Sequence, residues 1–236
     1  MKLLEDVVLY IKNAVATAKL VGVEGVVIER NLVAAMNEQR TAVILELDDK
    51  VDLPFDRITI DRFDLFLSRL ALVEGQEKFE VEYLVSPKTN EAQLLTMKCK
   101  GTKVEYRCAN PKTVKTPPRE LKEQFNYATT LTADAVQLLA KGMAAMKSDS
   151  ITLVSNDSGV MMELVDGNGD VFSHKFAERA ENVVNEDEPA NFVHRYEAKL
   201  LLTMMKHDPQ ATILVSKRGL LLFTINDVNV YVLPQV

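Results

Sequence analysis

Residues that could do covalent chemistry are sparse and scattered in this chain. Its three histidines, His174, His194 and His207, lie far apart, and no Ser or Cys stands in a nucleophile-elbow context. Neither a phosphate-binding loop nor a dinucleotide fingerprint occurs. Asp166-Gly-Asn-Gly-Asp170 opens like a calcium loop, but Val171 stands where the loop needs Gly and Ala177 where it needs a bidentate Glu. A hairpin turn accounts for it, and no metal site is expected. The two cysteines, Cys99 and Cys108, fall in apolar strand-like segments without metal-ligand spacing, which predicts buried free thiols. The chain does not read as an enzyme, and no cofactor is implied.

What does recur is a pair of cations on the outer face or flank of each amphipathic helical segment. The pairs are Lys12 and Lys19, Arg62 and Arg69, Lys141 and Lys147, and Lys199 and Lys206. Three of the four pairs are seven residues apart, which keeps both members on one helical stripe. Segments 4–19, 61–73, 132–147 and 197–207 together hold eight Lys or Arg against six Asp or Glu, whereas the whole chain carries −6. Taken singly, such residues form a solvated face. Four of them on one side of a molecule would tolerate a polyanion there, although the acidic total excludes a protein that holds nucleic acid by its whole surface.

The elements that position these cations follow a repeat, clearest from Phe125 to Phe172. Phe125–Leu131 alternates like a strand, and Thr132 stands as N-cap to a helix over Ala133–Met146 with core stripe Val136, Leu139, Met143 and Met146. Strands follow at 150–155 and 160–165, and the Asp166–Asp170 turn leads to another. The same order recurs from residues 1, 55 and 191. The first copy has a helix over 4–18 (stripe Leu4, Val8, Ile11, Val15, Ala18; Asp6, Asn13 and Thr17 opposite), then strands over 21–29, 32–36 and 43–47. The second has a strand at 57–60, a helix capped by Asp61 and running to Val73, and strands at 79–85, 92–99 and 103–109. The fourth has a strand at 191–196, a helix over 197–207 burying Leu201, Met204 and Met205, and strands at 211–217, 220–225 and 228–233. Asn110–Pro118 combines three prolines, cations and no period, as a linker does. Glu181–Pro189 reads as an acidic surface loop.

Four copies of about sixty residues predict two similar α+β domains, each a pair of units with sheet on one face and helices on the other. The boundaries are 1–110 for the first domain, 111–119 for the connector and 120–236 for the second. With 47% hydrophobic residues both can form cores, and no apolar run reaches a membrane span. The acids Glu5 and Asp6 stand where a signal peptide would be apolar. A cytoplasmic protein, the host cytoplasm if viral, is expected.

This layout resembles that of sliding clamps, the DNA polymerase processivity factors related to the proliferating cell nuclear antigen (PCNA). The length and Met1-Lys-Leu3 leading into a helix are most similar to clamps of tailed bacteriophages. Also similar are Val33-Ala-Ala-Met36 before the third strand, the mid-chain connector, Gly167-Asn-Gly169, and the ending Val230-Tyr-Val-Leu-Pro-Gln-Val236. The resemblance implies the DNA-clamp fold and a homotrimeric ring around double-stranded DNA. Its partners would be a DNA polymerase and a clamp loader, with no membrane. It implies that all eight helix cations face DNA. Subunits would meet through Thr102–Ala109 against Val171–Glu178, with Lys103, Tyr106, Arg107, Phe172, His174 and Phe176 in the contact. Partner peptides would occupy a pocket made by Met36, Val114, Leu121, Tyr231, Leu233 and Pro234. The other readings are a monomeric processivity factor, which needs a far more positive chain, and an α+β ligand-binding domain or enzyme.

Overall fold

Apolar periodicity and turn chemistry set the elements in order. The computed structural model describes residues 1–30, 32–46, 51–118, 123–156, 159–179 and 191–235. Leu47, Leu121 and the acidic segment 181–189 lie outside the described residues. The chain forms two compact units, Met1–Glu38 with Val43–Arg119 and Asn226–Val228, and Gln39–Ala42 with Glu120–Ile225 and Asn229–Val236.

The first unit contains α1 (Glu5–Leu20), β1 (Val26–Glu29), β2 (Leu32–Met36), β3 (Ala42–Glu46), β4 (Arg57–Ile60), α2 (Phe63–Ala71), β5 (Glu80–Val85), β6 (Ala92–Cys99) and β7 (Thr102–Arg107). Its strands lie in two antiparallel runs, β3-β2-β1-β4 and β5-β6-β7. Ahead of α1, Lys2 forms an isolated bridge to Glu82 of β5, with the Leu3 N–H donating to the Val81 carbonyl at 2.7 Å.

The second unit contains β8 (Phe125–Thr130), α3 (Ala133–Met146), β9 (Ser150–Asn156), β10 (Gly159–Val165), β11 (Val171–Arg179), β12 (Val193–Glu197), α4 (Ala198–His207), β13 (Thr212–Ser216), β14 (Leu221–Ile225) and β15 (Val228–Val232). They form one run in the order β12-β9-β10-β11-β8-β13-β14-β15. The Gln235 N–H reaches the Arg195 carbonyl at 2.7 Å, so this sheet curls until its two ends meet. In both units strand, helix, strand, strand, strand occurs twice. The architecture is the α+β one expected, with the two helices of each unit packed on each other.

Differences from the expected elements have local causes. Leu4 is 69% exposed because it is the N-cap of α1, and the buried stripe runs instead through Val7, Val8, Ile11, Ala14, Val15 and Ala18. Thr17, expected outside, is fully buried, and its hydroxyl accepts from Asn226 Nδ2 at 3.2 Å within the same unit. Residues 21–25 are not strand. α1 continues to Leu20, and Gly22 closes it with φ +71 while the Val23 N–H turns back to the Ala18 carbonyl. Asp61 does not cap α2, whose N-cap is Arg62 without a side-chain cap; the Asp61 carboxylate instead accepts from the Tyr106 hydroxyl at 3.3 Å. The Thr132 cap of α3 is present, its hydroxyl accepting from the Ala135 N–H at 3.2 Å.

Candidate nucleic-acid interface and strand edges

The eight helix cations do not share one electrostatic state. In the first unit each has a partner. Lys12 Nζ contacts both oxygens of Glu74 at 2.7 and 2.8 Å, and Lys19 pairs with Asp64. Arg62 lies 5.2 Å from the Tyr106 ring centre, pairs with Asp61 at 3.3 Å, and donates from Nη2 to the Arg107 carbonyl at 2.6 Å. Arg69 Nη1 donates to the Glu105 carbonyl at 2.6 Å. Both arginines thus lean over β7 and occupy its carbonyls. In the second unit, Lys141 and Lys147 of α3 and Lys199 and Lys206 of α4 are exposed, and none is held in an ion pair among the described residues. Lys147 ends α3 in the left-handed region, φ 49. The partners of the first-unit cations were illegible beforehand, because Lys12 meets Glu74 across 62 residues of chain.

Among the described residues two strand edges lack a ladder partner, although on β7 the Glu105 and Arg107 carbonyls already accept from Arg69 and Arg62. β7 ends the run β5-β6-β7 and has no ladder partner on its outer side among the described residues. β11 pairs with β10 along its length but with β8 at Glu178 and Arg179, and residues 171–177 have no ladder partner on that side among the described residues. Lys103, Glu105 and Arg107 point outward from β7. Glu105 holds Lys103 at 2.7 Å, a contact that keeps its carboxyl below the usual range and Lys103 above its own. Tyr106, expected at the subunit contact, is instead fully buried. Its ring meets Phe66 edge-on at 5.3 Å, and burial raises its pKa. Phe176, placed in the same contact, is only 6% exposed. Phe172 and His174 are half-buried, and the Phe172 ring lies over Gly142, where any Cβ would stand 3.2 Å from it. Strand parity explains this: alternate residues must turn to the core, and these are the inward set.

The partner-peptide residues divide. Met36 and Val114 line one cleft of the first unit, about 390 Å³, with acidic Glu24, Glu38 and Asp61 at its rim. The Met36 N–H donates to the Lys115 carbonyl at 3.0 Å, which ties the connector to β2. Gly25 lets Val114 approach, since a Cβ there would stand 2.6 Å from the Val114 methyl. Neither Gly25 nor the acidic rim stands out in the sequence, where the rim's signal is only three unremarkable acids flanking short strands. Tyr231, Leu233 and Pro234 are half-buried at the end of the second unit, and the Leu233 N–H is bonded to the Thr41 carbonyl. Leu121 lies outside the described residues.

The Asp166 turn is a hairpin. Its carboxylate accepts from the Asn168 and Asp170 N–H groups at 2.8 and 2.9 Å, and those backbone donors hold it below the usual carboxylate range. No group of three or more His, Cys, Asp or Glu with metal-binding geometry occurs among the described residues. Cys99 and Cys108 are free but half-buried, not buried as expected, and desolvation pushes the Cys108 thiol up to about 12. No described helix is long and apolar enough to cross a membrane.

No protein-family model and no curated protein sequence matches the chain. Solved structures do. A. fulgidus PCNA, solved with the C-terminal region of FEN-1 bound, superposes with TM-score 0.62 at 16% identity over 97% of this chain and 96% of that one. PCNA from Thermococcus kodakaraensis gives 0.63 at 13% identity, covering 95% of each chain. PCNA from Entamoeba histolytica gives 0.63 at 12% identity over 97% and 96%. The likeness spans both units, and the fold is the DNA-clamp fold.

Proposed function

We propose that this chain is the protomer of a sliding clamp of the tailed-bacteriophage type: a homotrimeric ring that encircles double-stranded DNA and tethers DNA polymerase for processive synthesis, placed there by a clamp loader. The observation that carries this reading is the end-to-end match of the four-copy architecture to PCNA. The open edges of β7 and β11 support it, because a head-to-tail contact that closes after three steps leaves neither exposed. An acidic protein suits the role. A closed ring needs no strong charge attraction, and weak contacts to phosphates permit sliding without reading sequence.

The helix cations are assigned unequal shares of the DNA contact. Lys141, Lys147, Lys199 and Lys206 can meet phosphates directly, whereas Lys12, Lys19, Arg62 and Arg69 must first give up partners of their own. Changing all four second-unit lysines to Glu is expected to weaken binding to a labelled duplex at least about tenfold at low salt and to flatten its salt dependence. Lys12→Gln with Lys19→Gln should do markedly less. Unchanged duplex affinity in the four-Glu protein would remove the helices as the DNA-facing surface.

The Met36 cleft is assigned to peptides of the polymerase and loader. Methionine adapts to several apolar side chains, and the connector forms one wall. Met36→Ser is expected to lower affinity for the cognate polymerase's C-terminal peptide about tenfold, roughly 1.4 kcal/mol. Equal dissociation constants for wild type and variant in a peptide titration would move the partner site elsewhere.

A further inference from the structure

We propose that β7 of one copy seats antiparallel against β11 of another in one register only, the register that sets Glu105 opposite Lys175. This rests on the ring reading and specifies its contact. The occupant of each open edge is a second copy of this chain.

Side-chain parity removes half of the possible registers. On β7 Val104 and Tyr106 turn inward while Lys103, Glu105 and Arg107 are exposed; on β11 Phe172 and His174 turn inward while Val171, Ser173 and Lys175 are exposed. Directly opposed residues share a face, so the apolar sides join only when even numbers oppose even numbers. A one-residue slip would turn one strand's apolar set to solvent.

Charge then separates the registers that remain, which lie two residues apart. With Glu105 opposite Lys175, Arg107 meets Ser173. Lys103 falls at the bulge where Phe176 and Ala177 are both buried. A shift of two residues in one direction brings Lys103 against Lys175, and a shift in the other brings Arg107 against Lys175. Like charges directly opposed on adjacent strands destabilise the pairing. On the inner face the same register sets Tyr106 level with His174 and half-buried Val104 level with Phe176, with the buried Tyr106 and Phe176 side chains each staying in its own core. Between β8 and β11 at that place is a cavity of about 150 Å³, lined by Leu131, Val136, Leu139 and Met205 among others.

The two ions have local partners in the free chain. Glu105 is bound to Lys103 at 2.7 Å and Lys175 to Glu178 at 2.9 Å, all of them solvent-exposed. Exchanging these pairs for one across the contact adds little affinity. Its effect is to exclude wrong registers, as charge patterns do at specific interfaces.

The test is a charge swap read by sedimentation equilibrium of the full chain at low salt. Glu105→Lys and Lys175→Glu alone should each weaken assembly about tenfold, and the double variant should recover to near wild type. Both substitutions fall on exposed side chains, and matching circular dichroism and melting of the three variants will establish that they fold. Wild type that assembles while the single changes have no effect, or while the double variant is no better than the singles, would overturn this register and leave the ring standing. Wild type that remains monomeric would overturn the ring and the register together. A two-chain particle whose assembly ignores Lys175 would show that β7 pairs with itself, and would also overturn the proposal.

Discussion

Tyr106→Ala is expected to remove about 3–5 kcal/mol from the stability of the first unit, whereas Tyr106→Phe should cost only about 1 kcal/mol. The ring is fully buried and packed edge-on against Phe66 of α2, so alanine leaves a large cavity beneath the β7 edge. Phenylalanine keeps the packing and loses only long hydrogen bonds, from the hydroxyl to Asp61 at 3.3 Å and from the Arg62 N–H at 3.4 Å. Chemical denaturation of both variants measures the difference. If Tyr106 were instead an intersubunit contact, the phenylalanine variant would keep its stability and lose assembly. That outcome would contradict its placement in the core.

Gly159→Ala is expected to be comparably damaging to the second unit, at about 3 kcal/mol or more. Gly159 opens β10 with φ +132, a conformation side chains rarely adopt, and a Cβ there would collide with the Ala177 backbone carbonyl. Backbone cannot swing aside as a side-chain tip can, so the β10–β11 ladder must shift at its bulge and the open edge of β11 moves with it. Gly101→Ala is the control. Gly101 has φ +78 but open space around it, and only the backbone penalty of about 1 kcal/mol should appear. Equal melting curves for the two alanine variants would show that the clash is relieved without cost.

The repeat was legible in sequence because each copy carries strong local signals. α3 follows from the Thr132 cap and its apolar stripe, and β6 from alternation bounded by turns, and both occur with the expected limits. Val21 and Val23 misled because alternation over a few residues also arises where a helix closes on itself through Gly22. Thr17 was misplaced for a different reason: a polar residue can be buried when a partner arrives from far along the chain, and Asn226 supplies it.

At the candidate site the residue types were legible and their partners were not. Cations at helical spacing announce a stripe, but nothing near Lys12 in sequence announces Glu74, nor anything near Arg69 the Glu105 carbonyl. The strand edges show the same limit. Alternation gives the two faces of β7 and β11 without saying which is inward, and the resemblance that places Tyr106 and Phe176 in a subunit contact does not say so either; both are buried within their own units.

The proposed ring has a direct consequence for size, and the native mass measured by light scattering across a concentration series tests it most directly. A protomer of 26.4 kDa should give a particle of three copies that persists on dilution into the low micromolar range. A mass that stays at one protomer even at high micromolar concentration would contradict ring closure.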